Sequence, residues 1–190
     1  MRKLIVFNMV SLDGYFVDAA GSLNWARFSR DDDPEFNSFV QENAQGGGEL
    51  FFGRKTYELM AAHWPTTAAR QNDPVVAEGM NSRSKVVFSR TMERATWSNT
   101  RLVKDGMVAE VRRMKDAAGP GLAIIGSGEV VAQLTQERLI DEYQFLVIPT
   151  VLGSGRTMFE GIRGGLNMRL TRSRAFRNGN VFLCYEPIRG

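Results

Sequence analysis

Cysteine and histidine occur once each in this chain, as Cys184 and His63. A lone cysteine excludes an intrachain disulfide and any cysteine-based metal cluster, and a lone histidine excludes a histidine-rich metal site. No metal ligand set is therefore expected, and His63, with no partner pattern around it, reads as structural. No apolar stretch approaches the length of a membrane span. The Met-Arg-Lys start runs into a strand-like segment too short and too interrupted for a signal peptide, so a cytoplasmic protein is expected. Basic runs with interleaved aromatics are missing too. The net charge is only +3, and the excess lies in dispersed arginines: Arg156, Arg163, Arg169, Arg172, Arg174 and Arg177. That spacing disfavours nucleic acid and fits a solvated face or a small anionic ligand. Repeats, low-complexity tracts and linkers are also lacking, so residues 1–190 read as one domain with an ordinary share of hydrophobic (43%) and charged (24%) residues.

What is there is an alternation of strand-like and helix-like segments. Leu4 to Val10 is an apolar run broken only by Asn8, the pattern of a buried central strand. Ser11-Leu12-Asp13-Gly14 closes it, and Tyr15 to Val17 continues extended. Asp18 to Arg30 is irregular, with Trp25 and Phe28 as apolar anchors, and a loop of that length suits a lid. The acids before Pro34 open a helix that Gly46-Gly47-Gly48 ends. Glu49 to Phe52 is a second strand, Lys85 to Phe88 a third and Arg101 to Val103 a fourth. Thr66 to Arg83 reads as polar and loop-like, with a short helix near Val75 to Met80. Gly106 to Ala117 is an amphipathic helix. The next helix is expected to run on to Glu137–Ile140, before a strand at Tyr143 to Ile148. Leu166, Met168 and Leu170 alternate with polar residues, and Asn178-Gly179 signals a two-residue hairpin. Cys184 falls in an alternating strand as a core residue, and Trp64 and Trp97 can equally be core. The expected fold is α/β, a mostly parallel central sheet with helices on both faces and a C-terminal antiparallel hairpin.

Three strand ends carry the chemistry. Leu122 to Ile125 runs into Gly126-Ser127-Gly128 and then a helix with Val130, Val131 and Leu134 on one face. Glycines let the backbone approach a ligand, and the first helical turn offers free N–H groups and partial positive charge, which suits a phosphate. A second junction, Gly53-Arg54-Lys55-Thr56, places two cations where the helix dipole disfavours them, a local conflict that a bound anion would resolve. The third strand ends on Ser89-Arg90.

Taken in order, these junctions resemble the dihydrofolate reductase superfamily, in its branch with the reductase domain of the bifunctional riboflavin-pathway deaminase–reductase. Gly53 to Glu58 is similar to that superfamily's Gly-Arg-x-Thr-x-Glu motif. Ser89-Arg90 resembles its segment at the adenosine ribose and phosphate, and Ile125 to Glu129 its glycine loop, with Gly126-Ser127 where the superfamily has a glycine pair. Asp141-Glu142 and Pro149 to Gly155 resemble segments of the riboflavin-type branch. The likeness covers nearly the whole chain. It implies NADPH as cofactor, held by Leu12, Gly53, Arg54, Lys55, Thr56, Ser89, Arg90, Ile125, Gly126, Ser127, Gly128, Glu129 and Val130. Arg54 and Arg90 suit a ribose 2′-phosphate. It also implies a small-molecule substrate at Asn8 and Arg156, and a catalytic group of Asp13, Trp25 and an acid. That acid can be Asp31, Asp32, Asp33 or Glu35, and Glu35 enters the candidate set. The implied activity is hydride transfer to the aminouracil ribosyl phosphate of riboflavin biosynthesis. The alternatives are reduction of a pterin or other heterocycle, and a nucleotide-binding protein that kept the fold without the chemistry. A homodimer is expected through the late hairpin, with no nucleic acid or membrane partner.

Overall fold

A computed structural model describes residues 1–26 and 33–188. Phe28, Arg30, Asp31 and Asp32, named above, lie outside the described residues. In chain order the elements are β1 (Leu4–Ser11), β2 (Tyr15–Asp18), α1 (Pro34–Gln45), β3 (Glu49–Gly53), α2 (Arg54–His63), α3 (Thr67–Asn72), α4 (Pro74–Ser82), β4 (Lys85–Phe88), β5 (Thr100–Val103), α5 (Met107–Asp116), β6 (Leu122–Ile125), α6 (Gly128–Gln136), β7 (Glu142–Ile148), β8 (Gly155–Thr157), β9 (Met168–Ala175) and β10 (Val181–Pro187).

Local chemistry sets most of these boundaries. Asp33 caps α1 by accepting from the Glu35 and Phe36 amides, and Pro34 supplies the preset φ of its first turn. Between residues 66 and 83 the short helix expected near Val75 to Met80 is present as α4, and a second helix, α3, stands where only loop was expected. Thr66 caps α3 through its hydroxyl, Pro74 opens α4, and the polar residues form their outer faces while Ala69, Val76, Ala77 and Met80 are buried. Gly79 lets α4 lie against α1, since a Cβ there would stand 2.5 Å from the Ala44 carbonyl oxygen. Helix α6 also stops earlier than expected. Arg138 takes the left-handed conformation, and the Arg138 and Leu139 amides donate back to Thr135 and Leu134, which is a Schellman ending.

Eight strands form one sheet in the order β5-β4-β3-β6-β1-β7-β10-β9, and β2 pairs with β8 in a separate ribbon. From β5 to β7 every pairing is parallel; β10 joins β7, and β9 joins β10, antiparallel. The Asn178-Gly179 signal marks the β9–β10 hairpin, but its loop has three residues. Phe176 accepts from the Gly179 amide and donates to the Asn180 carbonyl, with Gly179 at φ +85°, so a turn is followed by a left-handed glycine.

Alternation along the strands divides the core. Phe51, Val86 and Ile124 pack with Val111 of α5 and Val131 and Leu134 of α6. Their neighbours Leu50, Phe52, Val87 and Ala123 pack with Tyr57, Val76 and Met80 on the opposite face. A third cluster joins Trp25 and Phe36 to Leu146, Ile148, Phe176, Phe182 and Cys184. Trp64 and Trp97 are core residues of the second cluster. This is a dihydrofolate reductase-like fold, with helices on both faces of a mostly parallel sheet. Among the described residues no helix is long and apolar enough to cross a membrane.

Candidate functional site at the carboxyl ends of the parallel strands

Parallel strands deliver their carboxyl ends to one edge, where open α/β sheets bind ligands. Here the motifs that follow β3, β4 and β6, neighbours in the sheet, fall at that edge, with Asn8 of β1 beside them. The turn after β6 and the start of α2 are interlocked. The Ser127 amide donates to Thr56 Oγ1 at 3.0 Å, and the Gly53 amide donates to Ser127 Oγ at 2.8 Å. Gly126 sits at φ +64°, and a Cβ on it would stand 2.8 Å from Thr56 Cγ2, so only glycine fits. Ser127 is itself left-handed at φ +61°, a strained backbone for a residue with a side chain. Neither α2 nor α6 has a side-chain cap, so two sets of first-turn N–H groups stand side by side without one. The first turn of α2 holds no acid and carries Arg54 and Lys55. Such a cradle suits a pyrophosphate, and the residues present fit NADPH.

The expected cofactor residues divide by what they can offer. Gly53, Thr56, Ile125, Gly126, Ser127 and Gly128 form the interlocked turn. Val130 is buried in the core, so only its backbone can face a ligand. Glu129 is exposed and lies 3.6 Å from Arg156. Arg54 is exposed and pairs loosely with Glu58 at 3.8 Å, while Lys55 and Arg90 are exposed. Ser89 Oγ accepts from the Met92 amide and shapes the turn that carries Arg90. Leu12 is exposed, and its amide donates to the Thr150 carbonyl.

The expected substrate and catalytic residues are placed less simply. Asn8 is buried and uses both ends of its amide on Gly126, accepting from its N–H at 2.6 Å and donating to its carbonyl at 3.3 Å. It holds the glycine turn. Arg156, on β8, stands between Glu129 and Glu160, which lies at 3.3 Å. Glu35 points to the far hairpin, where Arg174 donates to it at 2.6 and 2.9 Å, and Asp33 is used up as a helix cap and by the Asn178 amide. Asp13 accepts from Ser11 Oγ at 2.6 Å, from the Gly153 amide at 2.7 Å and from the Leu152 amide. The Ser11 hydroxyl first, and then the Gly153 and Leu152 amides, bring its carboxyl down to about 2 against a smaller opposing effect of desolvation. Asp13 thus ties the turn after β1 to the segment between β7 and β8. Trp25 is 8% exposed, and its indole N–H has no acceptor among the described residues.

Residues absent from the sequence-based set complete the site. Phe7 and Met9 lie on the central strand, yet both are only partly buried, against the cluster that holds Trp25. That face of the central strand is therefore only partly covered. Phe16 of the β2–β8 ribbon lies on Gly128, where a Cβ would be 2.9 Å from its ring. Strand periodicity places Phe7 and Met9 on one face, but only the packing reveals that no helix covers them fully.

Two surface concavities lie elsewhere. One of about 430 Å³ is lined by Lys3, Asp141, Arg169, Glu186, Pro187 and Ile188 near the amino end of β1, and its charges are already paired, Lys3 with Glu142 and Glu186, Arg169 with Glu186. The other, about 540 Å³, lies between α1 and α4. Neither collects free N–H groups and cations as the strand ends do.

Comparison with known proteins bears on the fold and the family. The chain has the fold of a putative riboflavin biosynthesis protein from Shewanella sp. PV-4, at 25% identity and a TM-score of 0.75 over the full length of both chains. It also superimposes on the diaminohydroxyphosphoribosylaminopyrimidine deaminase/5-amino-6-(5-phosphoribosylamino)uracil reductase of Thermotoga maritima (14% identity, TM-score 0.64, 98% of this chain and 57% of that one). Dihydrofolate reductase from Enterococcus faecalis, complexed with NADP(H), matches over 98% of this chain and 97% of its own, at 15% identity and a TM-score of 0.62. The model of the RibD C-terminal domain matches residues 2–182, and the chain therefore belongs to the RibD C-terminal domain family.

Proposed function

We propose that the protein is an NADPH-dependent reductase of a nitrogen heterocycle, with 5-amino-6-(5-phosphoribosylamino)uracil as the first substrate to test. The observation that carries this reading is the interlock of Gly53–Thr56 with Gly126–Gly128, which sets two uncapped helix starts side by side with Arg54 and Lys55 at one of them. NADPH, when bound, supplies the hydride. The chain's own part is to hold the pyrophosphate on backbone N–H groups, to meet the 2′-phosphate with Arg54 and Arg90, and to keep the ring over β1. The half-buried Phe7 and Met9, and the Trp25 indole N–H that has no acceptor among the described residues, support a flat substrate with a hydrogen-bond acceptor on that face.

A pterin site is expected to present a free carboxylate near Trp25; of the four candidate acids the two among the described residues, Asp33 and Glu35, are engaged elsewhere. The same reading includes self-association through the β9–β10 hairpin, whose edge strand is exposed along nearly its whole length.

The test is a fluorescence titration with NADPH and NADH, alongside Arg54→Ala. NADPH is expected to bind more tightly than NADH, and the variant to lose about ten-fold in NADPH affinity, the scale of one charge-assisted phosphate contact. Failure of both dinucleotides to bind would sink the reductase reading.

A further inference from the structure

The β2–β8 ribbon lies directly over the glycine turn. Phe16 packs on Gly128, Arg156 reaches Glu129, and Met158, the residue after β8, has its sulfur 3.2 Å from Asn8 Nδ2, the same amide that holds Gly126. The ribbon is short, with register Tyr15↔Thr157, Val17↔Arg156 and Asp18↔Gly155, and a shift between the first two pairs. Gly155 has no room for a Cβ, because the Val17 carbonyl occupies its place. So few pairings make a weak ribbon, and something must tie down the two segments that lead into it.

That tie is one carboxylate. Asp13 sits in the turn between β1 and β2, and the segment from β7 to β8 donates to it through the amides of Leu152 (3.1 and 3.2 Å to its two oxygens) and Gly153. Ser11 Oγ donates to Oδ1 of the same group while accepting from the Tyr15 amide, and the Leu12 amide reaches the Thr150 carbonyl beside it. We propose that Asp13 is a positioning residue, a carboxylate latch that pins the β2–β8 ribbon over the Gly126–Gly128 turn and so sets how tightly that turn grips its dinucleotide. The last clause rests on the reductase reading above. The latch itself rests on geometry alone.

The simpler role for an Asp before Gly is to form the turn, and the two roles differ in their response to asparagine. Asparagine forms such turns as well as aspartate does. It serves the latch poorly, because in either orientation its NH2 group faces a backbone N–H donor, that of Leu152 or of Gly153. The test uses Asp13→Asn and Asp13→Ala in the full chain, with three readouts: amide hydrogen exchange over 150–157 and over 125–131, NADPH affinity, and melting temperature as a check of folding. Both variants are expected to exchange about ten-fold faster in both segments, and to bind NADPH about ten-fold more weakly while still melting cooperatively. An Asp13→Asn protein that matches the wild type would overturn the latch in favour of the turn. Faster exchange confined to 150–157, or unchanged NADPH affinity, would overturn the link from ribbon to glycine turn. If the wild type binds neither dinucleotide, the reductase reading fails, and the exchange rates in the two segments still decide whether the latch holds the turn.

Discussion

Asn8 uses its side-chain amide as a stand-in for a neighbouring strand, satisfying both the N–H and the carbonyl of Gly126 just where β6 turns away from β1. Replacing it by alanine strands two polar groups of a buried residue. Asn8→Ala is expected to cost about 2–3 kcal/mol, the combined price of the lost bonds and of the unmet desolvation, read from urea unfolding at pH 7. NADPH affinity should fall with it, because the turn that Asn8 holds is the turn that holds the phosphate. A loss below about 0.5 kcal/mol would show that the bonds contribute little. The sequence marked Asn8 as the one polar break in an apolar run and assigned it to a substrate. Its true neighbour lies 118 residues away, a pairing that only the tertiary fold supplies. Ser127 was likewise legible as part of a glycine loop, while its two hydrogen bonds, one from the Gly53 amide and one to Thr56 Oγ1, were not.

Among the elements, those with a clear period were legible. β1, β3, β4, β6, β7 and the helices α1, α2, α5 and α6 follow from apolar spacing with caps and glycine stops. Two were not. α3 hides a single buried alanine behind polar residues, and β8 has three residues, Gly-Arg-Thr, that alternate in nothing. Glycine junctions, the most legible part of the site, are dictated by backbone geometry and so leave a mark in composition. Charge networks leave none. At the amino end of β7, Glu142 is buried among Lys3, Gln144 and Arg172. Burial alone would push its carboxyl up, but hydrogen bonds from Gln144, the Cys184 thiol and Lys3, with the Lys3 charge, outweigh it and bring the group to about 2. Unfolded, the same carboxyl titrates near its ordinary value, about 4.3. The folded form therefore binds fewer protons across that interval, and the stabilisation present above pH ~4.3 is lost as the pH falls towards 2. Urea midpoints at pH 7 and pH 3 are expected to differ more for the wild type than for Glu142→Gln. Equal shifts would place the acid sensitivity elsewhere.

At the scale of the whole molecule, the sheet ends on unlike edges. β5 has four residues and partly buried positions, whereas β9 has eight and is exposed at seven of them, with Leu170 49% exposed. A long exposed edge is a pairing surface, and its Arg172 and Arg174 are held to one face by Glu142 and Glu35. Sedimentation is expected to give a mass near twice the 21.3 kDa of one chain, and Leu170→Lys to shift it towards a single chain. A monomer at micromolar concentration would remove the hairpin from consideration as an interface. The position of β1 has a different consequence, in time. It is synthesised well before its two partners, β6 and β7, which begin at Leu122 and Glu142. During synthesis at ~5–20 residues per second, that apolar strand waits for several seconds with both hydrogen-bonding edges open. The nascent chain is therefore most exposed to misassociation in that interval, and the sheet closes around β1 only once β6 and β7 have been made.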